Sequence, residues 1–413
     1  MAPGLRNTFS QDRITPRRPP VFQTPSGTGL FLRACAIRFS RSNMSENAAT
    51  NDWLCLSLIP GLGPAGAARL LDRFGSPAKV LGAGAKELAA TDGIRSSQLT
   101  GFARLPELRE LAARQIAGMQ KLGGEIVSLV DPRYPDRLRE IPDPPLVLYA
   151  LGDVALMGSH CVAMVGSRSA TTYGRRAAWL LAENLTTYGV TVVSGMALGI
   201  DSEAHYGALK SEGRTIAVLG SGLDVIYPSQ NRTLYDQLRA KGLLLSEYPL
   251  GTKPDGFRFP ARNRIIAGLS QGVVVVEAAR KSGSLITAQM ALDFGREIFA
   301  VPGQIDSLKS EGAHWLLREG AKLVASGSDI VEELQWGIAA NGCSGQQPKG
   351  DPYSGLEPDG VALLEQLDAY PLSRDEVCER TGLTPARLSE LLLFLELEGH
   401  IEMVAGDQVR RLA

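Results

Sequence analysis

Histidine, cysteine and aromatic residues are scarce in this chain of 413 residues, which has 4 His, 5 Cys and 6% aromatics. The histidines never stand at ligand spacing, so no zinc site and no metal cofactor is indicated. Cys35, Cys55, Cys161, Cys343 and Cys378 are odd in number and form no Cys-x-x-Cys. That argues against a disulfide framework and for a reducing, cytoplasmic setting. No apolar run approaches the roughly 20 residues that cross a bilayer, so no membrane partner is expected. Bulk basicity is missing too, the net charge being −1. Residues 1–43 hold seven arginines against one aspartate and no glutamate, which leaves the rest of the chain net acidic. A nucleic-acid partner would therefore have to be held by local patches.

What is present is a globular composition, 44% hydrophobic and 21% charged, with room for two or three domains. Residues 1–43 are rich in Arg, Pro, Ser and Thr and lack periodicity. They read as a disordered extension, as a start called too early with Met44 the true initiator, or as a transit-like peptide. Residues 50–130 carry helical spacing on both sides of Pro60-Gly61-Leu62-Gly63-Pro64. This predicts a helix-hairpin-helix unit, whose backbone N–H groups suit a DNA phosphate, or else a plain tight turn between helices. The stretch LAATDGIRSSQLTGF resembles a weaker second copy.

From 131 to 336 the pattern alternates between strands and helices, predicting an α/β, Rossmann-like, doubly wound and mainly parallel sheet. After the strand Leu146–Ala150, six strands are expected: Val162–Val165, Val190–Val193, Thr215–Leu219, Leu243–Ser246, Val273–Val276 and Ile298–Val301. Near-continuous Val/Ile/Leu runs suit parallel strands buried on both faces. A Gly/Pro/Ser/Gln-rich linker spans 337–355, and 356–413 has the helix–helix–hairpin order of a winged helix. Its longest expected helix carries Glu390, Glu396 and Glu398 against Arg387 alone. Such a helix would repel phosphates, which favours a structural or protein-contact role.

Ligands of parallel sheets collect at the carboxyl ends of the strands. There the chain places Gly166-Ser167-Arg168, then Gly195, then Gly222, then the segment from Phe257 through Arg258, Phe259, Arg262, Asn263 and Arg264, then Arg280-Lys281. Glycine lets a backbone approach a ligand, and arginine beside an aromatic suits a phosphate beside a stacked base. Gly-x-Gly-x-x-Gly and Walker A signatures are absent, and no acid follows the second strand to hold a ribose, so no nucleotide cofactor is expected. Asp201 and His205 lie four apart, as an acid–base pair would, or as a helix cap and its packed neighbour.

In order, VGSR (165–168), SGMALGID (194–201) with His205, GLDVIYP (222–228) with Asn231, and Ser246-Glu247 resemble the DNA-processing protein A family, DprA or Smf. FPARNRIIAGLS (259–270), Glu277, SGSLITA (282–288) and AVPG (300–303) continue the series, and the resemblance spans about residues 50–413. It implies a protein that binds and shields single-stranded DNA in natural transformation, helps load the RecA recombinase, forms a homodimer through the Rossmann-like domain and turns over no substrate. By the same resemblance Gly166, Ser167 and Arg168 hold phosphate, Arg262, Asn263 and Arg264 contact the backbone, and Lys281 is a further candidate. Two alternatives stay open. One is a nucleoside-monophosphate phosphoribohydrolase using Glu277, although Gln304 follows Pro302-Gly303 where that signature wants glycine. The other is a duplex-binding regulator acting through the winged helix.

Overall fold

A computed structural model describes residues 46–210, 214–338, 356–367, 371–404 and 406–411. The extension 1–43 and nearly all of the linker 337–355 lie outside them. The chain divides into two units, residues 1–341 and 342–413.

The larger unit is organised by nine strands: β1 Glu125–Ser128, β2 Val147–Gly152, β3 Cys161–Val165, β4 Thr191–Ser194, β5 Thr215–Leu219, β6 Leu243–Ser246, β7 Gly272–Val275, β8 Glu297–Ala300 and β9 Lys322–Leu323. Their order is β1-β2-β6-β5-β4-β3-β7-β8-β9. From β6 to β9 all neighbours are parallel, while β2 pairs with β6 and β1 with β2 antiparallel. The β-branched runs are fully enclosed, with Val192, Val193 and Val273 to Val275 all at 0% exposure. Alternation divides their side chains between two layers. Val162 and Met164 pack with the helices Thr172–Thr187 and Ile200–Lys210, whereas Cys161, Ala163 and Val165 face the layer that contains Arg258–Leu269 and Gly283–Asp293. Chain order runs outward from β3 to β6 and then returns to β7 on the other side of β3. That reversal places the crevice of a doubly wound sheet at the carboxyl ends of β3 and β7.

The N-terminal helices Glu46–Ser57 and Gly63–Phe74 flank the expected turn, where Gly61 (φ 77°) and Gly63 (φ 63°) take left-handed conformations. This module shares its core with the sheet. Gln115 fastens it, accepting from Leu250 N–H at 2.7 Å and donating to Leu250 O at 3.4 Å. β1 falls within the stretch expected to be helical and instead forms the margin of the sheet.

The second unit, taken by itself, is a winged helix. The helices Pro358–Gln366, Arg374–Thr381 and Pro385–Leu397 enclose Leu363, Leu388, Leu395, Ile401 and Val409. They precede a hairpin in the sheet β10 (Leu372–Ser373), β12 (Gln408–Arg411), β11 (Ile401–Val404). The cation of its longest helix is already occupied, since Arg387 pairs with Glu357, with Asp359 at 3.3 Å and with Glu390 at 2.9 Å.

Candidate nucleic-acid interface

Small residues let three strand-end loops lock together. After β3, Thr171 caps the following helix by accepting from Gly174 N–H at 3.0 Å. Its own N–H donates to Glu277 Oε2 at 2.9 Å, and its hydroxyl donates to Glu277 Oε1. Glu277, 3% exposed, thus ties the β3 and β7 loops together across the crevice. The β4 loop closes against the β3 loop at Gly199 (φ 80°), where a Cβ would collide with the carbonyl oxygens of Ser167 and Arg168. Ile200 N–H donates to Ser167 O at 3.2 Å. Lys309 Nζ donates to Ser169 O from the β8 side.

Gly166 and Ser167 are half-buried by these contacts, and Arg168 is exposed. Its guanidinium lies 5.4 Å from the Phe259 ring centroid, and Phe259 stacks on Tyr227 at 5.5 Å and 29°. No hydrogen bond or ion pair engages Arg168 among the described residues. Beyond it, Arg258 sits 5.4 Å over Tyr248 and 5.1 Å over Phe257, which is 66% exposed. The mouth of the loops therefore alternates guanidinium and aromatic surface, which suits bases and phosphates in succession.

The other arginines expected to contact phosphate are placed differently. Arg262 is 4% exposed; it donates to Gly195 O at 2.8 Å, to Val218 O, and to Asn263 Oδ1 at 3.2 Å. Burial pulls its pKa down to about 10, the Asp201 charge opposes this, and Arg168 adds to it by repulsion. Asp201 is buried beside it, accepting from the N–H groups of Gly195 (3.2 Å) and Ala197 (3.3 Å). Burial raises the Asp201 carboxyl, with Arg262 the main opposing influence. Gly195 is needed because a Cβ there would strike the Arg262 guanidinium. Arg264 forms a bidentate pair with Glu247 at 2.9 and 2.6 Å, both side chains being under one-sixth exposed. In both, the donors are turned inward and hold the loops in place, whereas the sequence reading expects them on a phosphate backbone. Asn263 is half-buried beside Arg262. Gly222 is buried, donating to Thr252 O at 2.9 Å, and serves loop packing. Lys281 is exposed but lines a separate cavity of 860 Å³ with Arg280, Leu285 and Trp315, none of which belongs to the Arg168 stack.

His205 is wholly buried, with Nδ1 2.7 Å from Thr215 Oγ1 and Nε2 unpartnered. Burial, with Arg262 adding to it, lowers its pKa to about 3, so the ring is neutral near pH 7. The unfolded chain binds the proton more tightly, so this contribution is complete above about pH 6.5 and is lost as the pH falls toward 3. Urea titrations at several pH values are expected to show stability dropping by up to about 1.4 kcal/mol per pH unit in that window. His205→Gln should flatten that limb, and an unchanged acid limb would remove His205 from the account.

Tyr227 and Lys309 were not foreseen. The signal for Tyr227 was its place in the motif GLDVIYP (222–228), after a strand-end glycine loop; Lys309 acts through a distant carbonyl and left none.

A mostly parallel sheet whose locked strand-end loops carry an exposed arginine on an aromatic stack defines a doubly wound α/β protein, here with a winged helix in the same chain. The chain belongs to the DNA recombination-mediator protein A family, which it matches over residues 125–335, and residues 347–407 match the DprA winged helix domain. It is 36% identical to Protein Smf of Synechocystis over 401 residues, 87% of this chain and 98% of that one. It is 47% identical to DNA processing protein DprA of Streptococcus pneumoniae over 209 residues, 51% of this chain and 74% of that one. The X-ray structure of the pneumococcal protein superposes with a TM-score of 0.61 at 38% identity, covering 69% of this chain and 98% of that one. The resemblance read from the motifs is borne out, and DNA processing is the field in which the site is to be understood. No described helix is long and apolar enough to cross a membrane.

Proposed function

We propose that the chain binds single-stranded DNA at the strand-end loops, shields it, and hands it to RecA recombinase during DNA-mediated transformation. It does so as a homodimer paired through the Rossmann-like unit, in the cytoplasm and without catalytic turnover. The observation that carries this reading is the exposed Arg168 guanidinium on the Phe259–Tyr227 stack. Stacking accepts any base, and an unengaged guanidinium accepts any phosphate, so the pair favours an unpaired strand over a sequence-specific duplex. Gly166 and Ser167 support it by carrying Arg168 on a loop fixed from both sides.

The hydrolase alternative is disfavoured by Glu277, whose two oxygens already accept from Thr171 and whose side chain is nearly inaccessible. The duplex alternative is disfavoured by the three acids around Arg387.

Filter binding of an oligothymidylate across a salt series tests the proposal. Log affinity is expected to fall linearly with log salt, by about 0.7 for each phosphate contact, and unpaired DNA should outcompete duplex. Preference for duplex would transfer the function to the winged helix, and no binding at low salt would end the proposal.

A further inference from the structure

We infer that the groove between the first turns of the helices Thr172–Thr187 and Ile200–Lys210 is a second nucleotide position, which takes a base and a phosphate of the same strand as it leaves the Arg168 loop. This inference rests on the single-strand reading above. A cavity of 400 Å³ opens there, lined by Thr172, Arg175, Arg176, Trp179, Leu180 and Glu203. It exists because the two helices approach closely at Gly207, where a Cβ would run into the Trp179 carbonyl. With the backbones in contact at that level, the long side chains of the preceding turn are left at the rim.

The lining has the chemistry of a nucleotide. Arg175 is exposed and Arg176 half-buried, and neither guanidinium makes a hydrogen bond or ion pair among the described residues. Both border the cavity, and a guanidinium with free donors binds a phosphate oxygen. Trp179 supplies an indole plane, already polarised by Lys210 Nζ 4.4 Å from its centroid, and Leu180 adds apolar surface at 45% exposure. Glu203 is the one acid in the lining. Burial raises its carboxyl and the charge of Arg175 opposes this. A carboxylate at that point rejects a second phosphate but accepts a hydrogen bond from an N–H of a base, which in thymine is the ring N3–H.

Both walls run back into the loop that carries Arg168. Thr171 caps the first helix, and Arg175 stands four residues beyond it, about 6 Å along the axis. On the other wall Glu203 N–H donates to Gly199 O at 3.1 Å, and Gly199 is the residue pressed against Ser167. A strand gripped at Arg168 therefore meets this groove next on the side of the sheet that carries these helices.

The test compares the full chain with the double variant Arg175→Gln/Arg176→Gln, using oligothymidylates of about 5 and about 16 nucleotides, the range of site sizes single-strand grooves show. The short oligomer is expected to bind both proteins equally. The long one should bind the variant about tenfold more weakly, with a salt slope shallower by about 0.7, for the one phosphate the two arginines share. Trp179→Leu should weaken the long oligomer without altering that slope. Equal binding of both lengths by wild type and double variant overturns the inference and leaves the single-strand reading intact; so does equal weakening at both lengths. If the wild type binds neither oligomer, while its melting curve shows it folded, the underlying reading falls and takes this one with it.

Discussion

Arg262→Ala is expected to destabilise the larger unit by about 3–5 kcal/mol, lowering its melting temperature by roughly 10 °C. The substitution removes the one cation beside the buried Asp201 and leaves the carbonyls of Gly195 and Val218 without their donor. An uncompensated buried carboxylate is the larger part of that loss. DNA binding should weaken as a consequence, because Arg262 holds the β4 loop to β5 and the β4 loop buttresses Ser167 and Arg168. The double variant Arg262→Met/Asp201→Asn should recover part of the stability, since removing both charges is far milder than removing one. Differential scanning calorimetry of the three proteins decides. If Arg262→Ala melts with wild type yet fails to bind DNA, the residue contacts the ligand and its role is not structural.

Arg168→Ala is expected to do the reverse. The side chain is exposed and engages only the face of Phe259, so its removal should leave stability within about 0.5 kcal/mol. Binding of an oligothymidylate should weaken by roughly 10- to 100-fold, the loss of one charge-assisted hydrogen bond of about 1.5–3 kcal/mol. The salt slope should become shallower by about 0.7, which is the signature of a lost phosphate contact and not of a misfolded loop. Arg168→Lys keeps the charge but loses the planar fork and the stack, so it should fall between the two. Wild-type affinity for Arg168→Ala across the whole salt series would dismiss the site.

These two arginines show what the sequence made legible and what it did not. The six strands from β3 to β8 were readable to within a residue, because each is a short Val/Ile/Leu run buried on both faces and bounded by glycine or serine. The loops that follow them were readable as well, since glycine and hydroxyl residues cluster after each strand. The fate of each arginine in 258–264 was not readable from the run alone, because the acids and carbonyls that engage them come from elsewhere: Glu247 for Arg264, Asp201, Gly195 and Val218 for Arg262. One local signal was available. Arg262 lies three and four residues before Ile265 and Ile266, which places it on the core-facing side of the helix Arg258–Leu269. β1 and β9 escaped notice for another reason: one is a four-residue marginal strand after a long helix, the other two exposed residues with no apolar run to mark them.

β9 limits what a neighbouring chain could do at this edge of the sheet. It contributes only Lys322 and Leu323, paired to β8 on one side, and both side chains are exposed. Two residues give a neighbouring chain almost no main-chain hydrogen-bonding groups to zip onto, so the nine strands do not invite a tenth from another copy at this border. Any recognition along that border would depend on the shape and stickiness of side chains, which single substitutions alter without unravelling the sheet.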